Sequence, residues 1–269
     1  MQTLESIFPH LYSNVKHKCL IIAGPCQIES LDICLKTASF LKDLTKEHSF
    51  PFIFKASFDK ANRTSLKSPR GVGLKEGLEV LREVKESFNI PVLTDIHEPW
   101  QAEEAAKVVD VIQIPAFLCR QTDLLIAAGK TIKPVHIKKG QFIHPLDMQF
   151  AVEKVTSQGN SKVIVCERGA CFGYRDLVVD FRSICLLKKL GLPVVFDATH
   201  SVQKMGGETG VSSGEREFAV PLSRAALAVG ADGIFFECHP KPEEALSDKE
   251  LMLDFNQADN LLSSIKELL

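Results

Sequence analysis

The chain has 269 residues, 45% of them hydrophobic and 25% charged, an ordinary globular composition long enough to bury a large core. Its 32 basic and 34 acidic residues leave a formal net charge of −2, which gives no general attraction to nucleic acid or to an anionic membrane. No apolar run approaches the ~20 residues of a membrane span, no basic-then-apolar secretion signal opens the chain, and the eight cysteines form no disulfide framework, so reduced thiols and a cytoplasmic location are expected.

Short β-branched runs alternate with amphipathic stretches along the chain. Strands are predicted over Cys19–Ala23, Phe52–Ser57, Val92–Asp95, Val111–Pro115, Val135–Lys138, Val163–Cys166, Val194–Asp197 and Gly233–Glu237. Helices are predicted over Leu31–Lys46, Leu74–Phe88, Gln101–Val108, Thr122–Ala128, Asp147–Thr156, Val178–Lys189, Arg216–Val229 and Asp254–Leu268. Nearly continuous apolar strands separated by helices imply a parallel sheet. Eight such units imply an α/β protein with a closed (β/α)8 TIM barrel, a single domain over residues 1–269. An open doubly wound sheet would usually carry a glycine-rich first turn, whereas the turn here is Ala23-Gly-Pro-Cys26. The Gly- and Ser-rich stretch Lys204–Ser213 reads as a mobile loop.

Sites in such a barrel lie at the carboxyl ends of the strands. Standing there are Cys26, Lys55, Asp95 with His97, Gln113, Lys138 with Lys139, Arg168, Asp197 with His200, and Glu237 with His239. Two sets stand out. Cys26, His200, Glu237 and Asp248 come from the first, seventh and eighth units, which adjoin in a closed barrel. A thiolate, an imidazole and two carboxylates suit a zinc- or iron-like divalent ion. The second set is cationic: Lys55, Lys60 and Arg63 follow the second strand, and Arg120, Lys138 and Arg168 follow later ones. Lys55 and Lys138 end apolar strands directly, which fits poorly with a solvated lysine face and well with anionic substrates. A lysine Schiff base on Lys55 or Lys138 stays open at this point. Cys166, Cys171 and Cys238 read as structural thiols, and Cys34 and Cys185 as helix core.

The runs Ile22-Ala-Gly-Pro-Cys26, Phe54-Lys-Ala-Ser-Phe-Asp-Lys-Ala-Asn-Arg63-Thr-Ser, Thr94-Asp-Ile-His97, Ile112-Gln-Ile-Pro-Ala-Phe-Leu-Cys-Arg-Gln-Thr-Asp123, Ile137-Lys-Lys-Gly-Gln-Phe142, Glu167-Arg-Gly, Phe172-Gly-Tyr and Phe196-Asp-Ala-Thr-His200 closely resemble the 3-deoxy-D-manno-octulosonate 8-phosphate synthases. The related 3-deoxy-D-arabino-heptulosonate 7-phosphate synthases, which take erythrose 4-phosphate, typically carry Lys-Pro-Arg-Thr where this chain has Lys60-Ala-Asn-Arg63-Thr.

The resemblance implies condensation of phosphoenolpyruvate with arabinose 5-phosphate and water, a step toward the inner-core sugar of bacterial lipopolysaccharide. It implies catalytic roles for Lys60, Asp95, His97, Lys138 and His200. It places substrates against Lys55, Ser57, Lys60, Asn62, Arg63, Thr64, Gln113, Ala116, Arg120, Lys138, Gln141 and Arg168. It also implies the metal-dependent class, with one divalent ion (Zn, Fe(II) or Mn) per subunit on Cys26, His200, Glu237 and Asp248. A homotetramer in which Arg120 completes a neighbouring site is expected, with no nucleic-acid or membrane partner. Two departures from the family pattern are His136, where Asn is usual, and Val211-Ser-Ser-Gly-Glu-Arg, where a Gly-Gly pair is usual.

Overall fold

All eight predicted strands form and close on one another in parallel. In chain order they are β1 (Leu20–Gly24), β2 (Phe52–Lys55), β3 (Val92–Asp95), β4 (Val111–Ile114), β5 (Val135–Lys138), β6 (Val163–Glu167), β7 (Val194–Asp197) and β8 (Gly233–Glu237). Sequential strands are neighbours around the ring, and β1 closes it by pairing with β8 from Leu20↔Gly233 to Gly24↔Glu237. The computed structural model describes residues 2–63, 65–171, 176–204 and 213–269.

Every residue of the eight strands is buried, because helices cover the outer face and side chains fill the inner one. Around the outside run α1 (Leu31–Glu47), α2 (Leu74–Phe88), α3 (Gln101–Ala106), α4 (Thr122–Lys130), α5 (Met148–Thr156), α6 (Arg182–Lys188), α7 (Ala219–Ala228) and α8 (Phe255–Lys266). Local chemistry sets several of their ends. Ser30 caps α1 by accepting from the Ile33 amide, and Asp254 and Gln257 form a reciprocal capping box at α8. Asn89 stops α2 in the left-handed conformation, φ 49°.

The structure departs from the sequence reading at a few boundaries. β2 ends at Lys55, since Ser57 pairs instead with Gln27 in an isolated bridge. α6 starts at Arg182, because Leu177–Val178 forms a small antiparallel ribbon with Ala170–Cys171. Cys185, expected in the core, is exposed on α6, whereas Cys34 is fully buried. The predicted loop over Lys204–Ser213 begins and ends in a two-stranded ribbon, Gln203–Lys204 with Ser213–Gly214; residues 205–212 between them lie outside the described residues.

Two short helices, Leu4–Ile7 and Pro9–Tyr12, precede β1. Leu4, Ile7 and Phe8 join Leu20, Ile22, Ile53, Leu93, Val111, Ile164 and Val195 in one apolar cluster inside the ring. Gln2 donates to the Gly191 carbonyl and accepts from the Val163 amide, at the amino ends of β7 and β6. The segment thus closes the bottom of the barrel and leaves the carboxyl end as the open one.

Candidate active site

A cavity of about 520 Å³ opens at the carboxyl ends of the strands. Its wall includes Lys55, Lys60, Asn62, Arg63, Asp95, His97, Gln113, Ala116, Lys138, Gln141, Arg168, His200, Glu237 and Asp248, which are most of the residues expected from sequence. The volume suits a small polar metabolite pair.

Beneath one side of this cavity the barrel seam gathers three metal-ligand types. Cys26 follows β1, Glu237 ends β8 and Asp248 stands in the following loop; one ligand atom from each lies within 4.8 Å of the others. Gly24 lets β1 and β2 meet closely here: a Cβ at this position would fall 2.0 Å from the Lys55 carbonyl oxygen. Cys26 Sγ donates to Asp248 Oδ2 at 2.9 Å and lies 3.1 Å from Ser247 Oγ. Burial pushes the Cys26 thiol well up, and the Asp248 and Glu237 carboxylates push it further. Burial opposes the Glu237 charge too, but Lys55, His200, Lys60 and Lys138 hold that carboxyl below its ordinary range. Its Oε2 is buried and makes no hydrogen bond among the described residues. Asp248 holds a left-handed backbone, φ 47°, an uncommon state for a residue with a side chain. An orphaned carboxylate oxygen beside a buried thiol and a second carboxylate is costly to the apoprotein, and a divalent cation fits this donor set.

His200, expected as the fourth ligand, stands beside that group rather than in it. Its Nε2 is 3.7 Å from Glu237 Oε2. Its Nδ1 lies 2.9 Å from Asp197 Oδ2, with Lys138 Nζ 3.4 Å away. Asp197, at the end of β7, also accepts from the Thr199 and His200 amides and so fixes the turn that carries the imidazole. Burial opposes its charge, yet His200, Lys138 and Arg168 hold this carboxyl well below the usual range.

Cations occupy the rest of the floor. Lys55 Nζ donates to Glu237 Oε1 at 2.7 Å and to the Cys26 carbonyl at 2.9 Å. Lys138 Nζ donates to Asp197 Oδ2 at 2.5 Å and sits 3.6 Å from the centroid of the Phe235 ring, whose face supports the charge. Lys60 Nζ is 3.9 Å from Glu237 Oε1; burial opposes its ammonium, but Cys26, Glu237, Asp95 and Asp248 raise it above the lysine range. Arg168 donates to Gln203 Oε1 at 3.0 Å, while its buried Nη1 makes no hydrogen bond among the described residues. At the rim Arg63 spans three acceptors: the Pro69 carbonyl at 2.7 Å, Ser247 Oγ at 2.7 Å and Gln27 Oε1 at 2.6 Å.

Further round the ring, after β3, His97 Nε2 meets Asp95 Oδ2 at 3.1 Å. Burial opposes ionisation of Asp95, but His97, Lys60 and Lys55 hold its carboxyl far below the ordinary value. Gln113 and Ala116 line the next arc, after β4. Two expected contacts stand elsewhere. Ser57 is fully buried behind the cavity wall, drawn there by the bridge to Gln27. Arg120 is exposed outside this cavity, with its carbonyl accepting from Lys154. Thr64 and the Phe172-Gly-Tyr run lie outside the described residues.

Sequence reasoning missed Ser247, which touches Cys26, Asp248 and Arg63 at once, and Phe235, which lies under Lys138. A serine next to a candidate ligand was the only signal for the first. Strand alternation was available for the second, since Phe235 and Glu237 share the inward face of β8.

The model of the DAHP synthetase I family matches residues 13–269. The chain is 54% identical over 248 residues to the 2-dehydro-3-deoxyphosphooctonate aldolase of Dichelobacter nodosus, covering 92% of this chain and 90% of the relative. It is 51% identical over 253 residues to the protein of that name from Fusobacterium nucleatum, covering 94% and 91%. The one from Francisella philomiragia is 52% identical over 248 residues, covering 92% and 90%. The chain therefore belongs to the DAHP synthetase I family, and within it to the 2-dehydro-3-deoxyphosphooctonate aldolases.

Proposed function

We propose that this protein condenses phosphoenolpyruvate with D-arabinose 5-phosphate and water, giving 3-deoxy-D-manno-octulosonate 8-phosphate and inorganic phosphate. The observation that carries this reading is the convergence of Lys55, Lys60, Lys138 and Arg168 on one cavity of a chain whose net charge is only −2. Two highly charged anions cannot approach each other without such neutralisation.

Phosphoenolpyruvate takes the deep end, its carboxylate and phosphate against Lys60, Lys138 and Arg168, with Lys55 and Gln141 nearby. Arabinose 5-phosphate enters over it, with its phosphate toward Arg63 and Thr64 and its hydroxyls toward Asn62 and Ala116. Carbon 3 of the enolpyruvate then bonds to the sugar aldehyde carbon, a water oxygen adds to carbon 2, and phosphate departs from carbon 2. Asp95 orients the His97 ring through the 3.1 Å contact, and the pair accepts the proton lost by that water. The alkoxide formed at the sugar carbon takes up the proton that the His97–Asp95 pair has accepted, while Asp197 fixes the His200 ring. Fixing both anions in one orientation supplies much of the rate.

One divalent ion per subunit (Zn, Fe(II) or Mn) would be held by Cys26, Glu237 and Asp248 with His200, and would supply Lewis-acid polarisation of a substrate or water oxygen. Cys26 beside two carboxylates supports the metal-dependent reading. A homotetramer is proposed because exposed Arg120, outside its own cavity, is then free to reach the sugar phosphate of a neighbouring subunit. One catalytic domain over residues 1–269, acting in the cytoplasm on the route to lipopolysaccharide, completes the reading. No described helix is long and apolar enough to cross a membrane.

The test is phosphate release from phosphoenolpyruvate, followed with mass detection of the octulosonate product. Release that requires arabinose 5-phosphate supports the proposal. No release at saturating substrates and added divalent ion would leave a binding protein instead.

A further inference from the structure

One buried titratable side chain has no part in the chemistry above. His136, in the middle of β5, is fully buried inside the ring, one inward position below Lys138. It pairs in register with Gln113 of β4, which in turn pairs with Asp95 of β3. Its Nδ1 lies 3.0 Å from Gln113 Oε1, and its ring stacks on Phe235, the ring that carries Lys138. We propose that His136 is a positioning residue for the condensation: it fixes the Gln113 carboxamide so that Gln113 faces phosphoenolpyruvate as a hydrogen-bond donor. This rests on the function proposed above.

A carboxamide oxygen only accepts, so the 3.0 Å contact requires the proton on Nδ1. With Oε1 occupied from below, the group Gln113 offers to the cavity is its NH2, which suits an anion and would repel a cation. Without His136 the amide could turn over at little cost and present its oxygen to the same anion. The imidazole suits the role because it stays uncharged: burial and the nearby Lys138 push it down to about 3, with Asp197 opposing. A permanent cation there would repel Lys138 and Lys55 across the Phe235 ring. Gln113 is only 3% exposed and lies deep beside Asp95 and Lys138, whereas Arg63 stands at the rim, so the deeper anion is the one affected.

Three variants test this with the metal-loaded enzyme: H136L, H136N and Q113L. An asparagine amide places its nitrogen close to where imidazole Nδ1 stands, so H136N keeps the donor and H136L removes it. The expected result is a KM for phosphoenolpyruvate raised about tenfold in H136L, with kcat changed less than threefold, the pattern of lost uniform binding. H136N should remain within about threefold of the parent. In a Q113L background, H136L should add almost nothing to KM. Thermal melting of each variant separates a folding defect from a positioning one, and H136N gives a reading even where H136L folds poorly. Equal KM values in H136L and H136N overturn the proposal. So does the same fold-change with and without Gln113. Parent enzyme that fails to turn over both substrates would instead sink the functional reading itself.

Discussion

Lys138 ties three groups of the site together. It bonds Asp197, sits over Phe235 and lies 3.4 Å from His200. Replacing it with alanine should lower kcat/KM by about 10²–10³-fold, as steady-state kinetics will read. It should also destabilise the fold by about 1–3 kcal/mol, because Asp197 loses its ammonium partner and keeps only the His200 ring and two backbone amides. K138M, which fills the space without the charge, should lose the same activity. At this scale the sequence was partly legible. Cys26 and Glu237 stood out because they stand at the ends of apolar runs, Asp248 through the family pattern, and closing β8 on β1 made them neighbours. Ser57 and Arg120 matched a pattern without revealing which way they face; one bridge residue buried the first, and the second is exposed. The contact of His136 with Gln113 depends on register between two strands, which no local pattern encodes.

At the scale of elements, period and length sufficed for the strands and most helices, since eight buried strands read as apolar runs. Boundaries failed where a neighbour competed for the backbone, as at Leu177–Val178, whose pairing with Ala170–Cys171 displaces the first turn predicted for α6. The two N-terminal helices were illegible because four residues each are too few to show a period. Their burial gives them a separable role. Phe8 is 3% exposed at the bottom of the ring, opposite the cavity. Phe8→Ala should cost about 3 kcal/mol in denaturant unfolding. The kcat of the folded fraction should stay within twofold, and a larger loss would mean that the plug communicates with the site.

Across the whole molecule, buried titratable groups set the acid limit of stability. His136 is pushed down to about 3 from 6.5, so below pH 6.5 the unfolded chain takes up a proton that the folded one refuses. Its contribution is complete above pH 6.5 and is lost as the pH falls toward 3, at up to about 1.4 kcal/mol per pH unit. Asp95 is held below its ordinary 3.8, so its contribution is present above that pH and disappears beneath it. Unfolding between pH 7 and 4.5 should therefore report His136 together with His17, whose ring burial and Lys266 also push down, and H136N should reduce the slope of that stretch of the curve. A matching slope in H136N would assign it to other groups.

The acceptor decides the central claim, because the proposed sugar contacts, Asn62 and Arg63, are what separate this reading from an enzyme that takes erythrose 4-phosphate. The direct measurement is kcat/KM of the metal-loaded enzyme for arabinose 5-phosphate against erythrose 4-phosphate, at saturating phosphoenolpyruvate. The account predicts a preference of at least about 10²-fold for the five-carbon sugar, consistent with polar groups left unpaired by a shorter one. Faster turnover of erythrose 4-phosphate would contradict it.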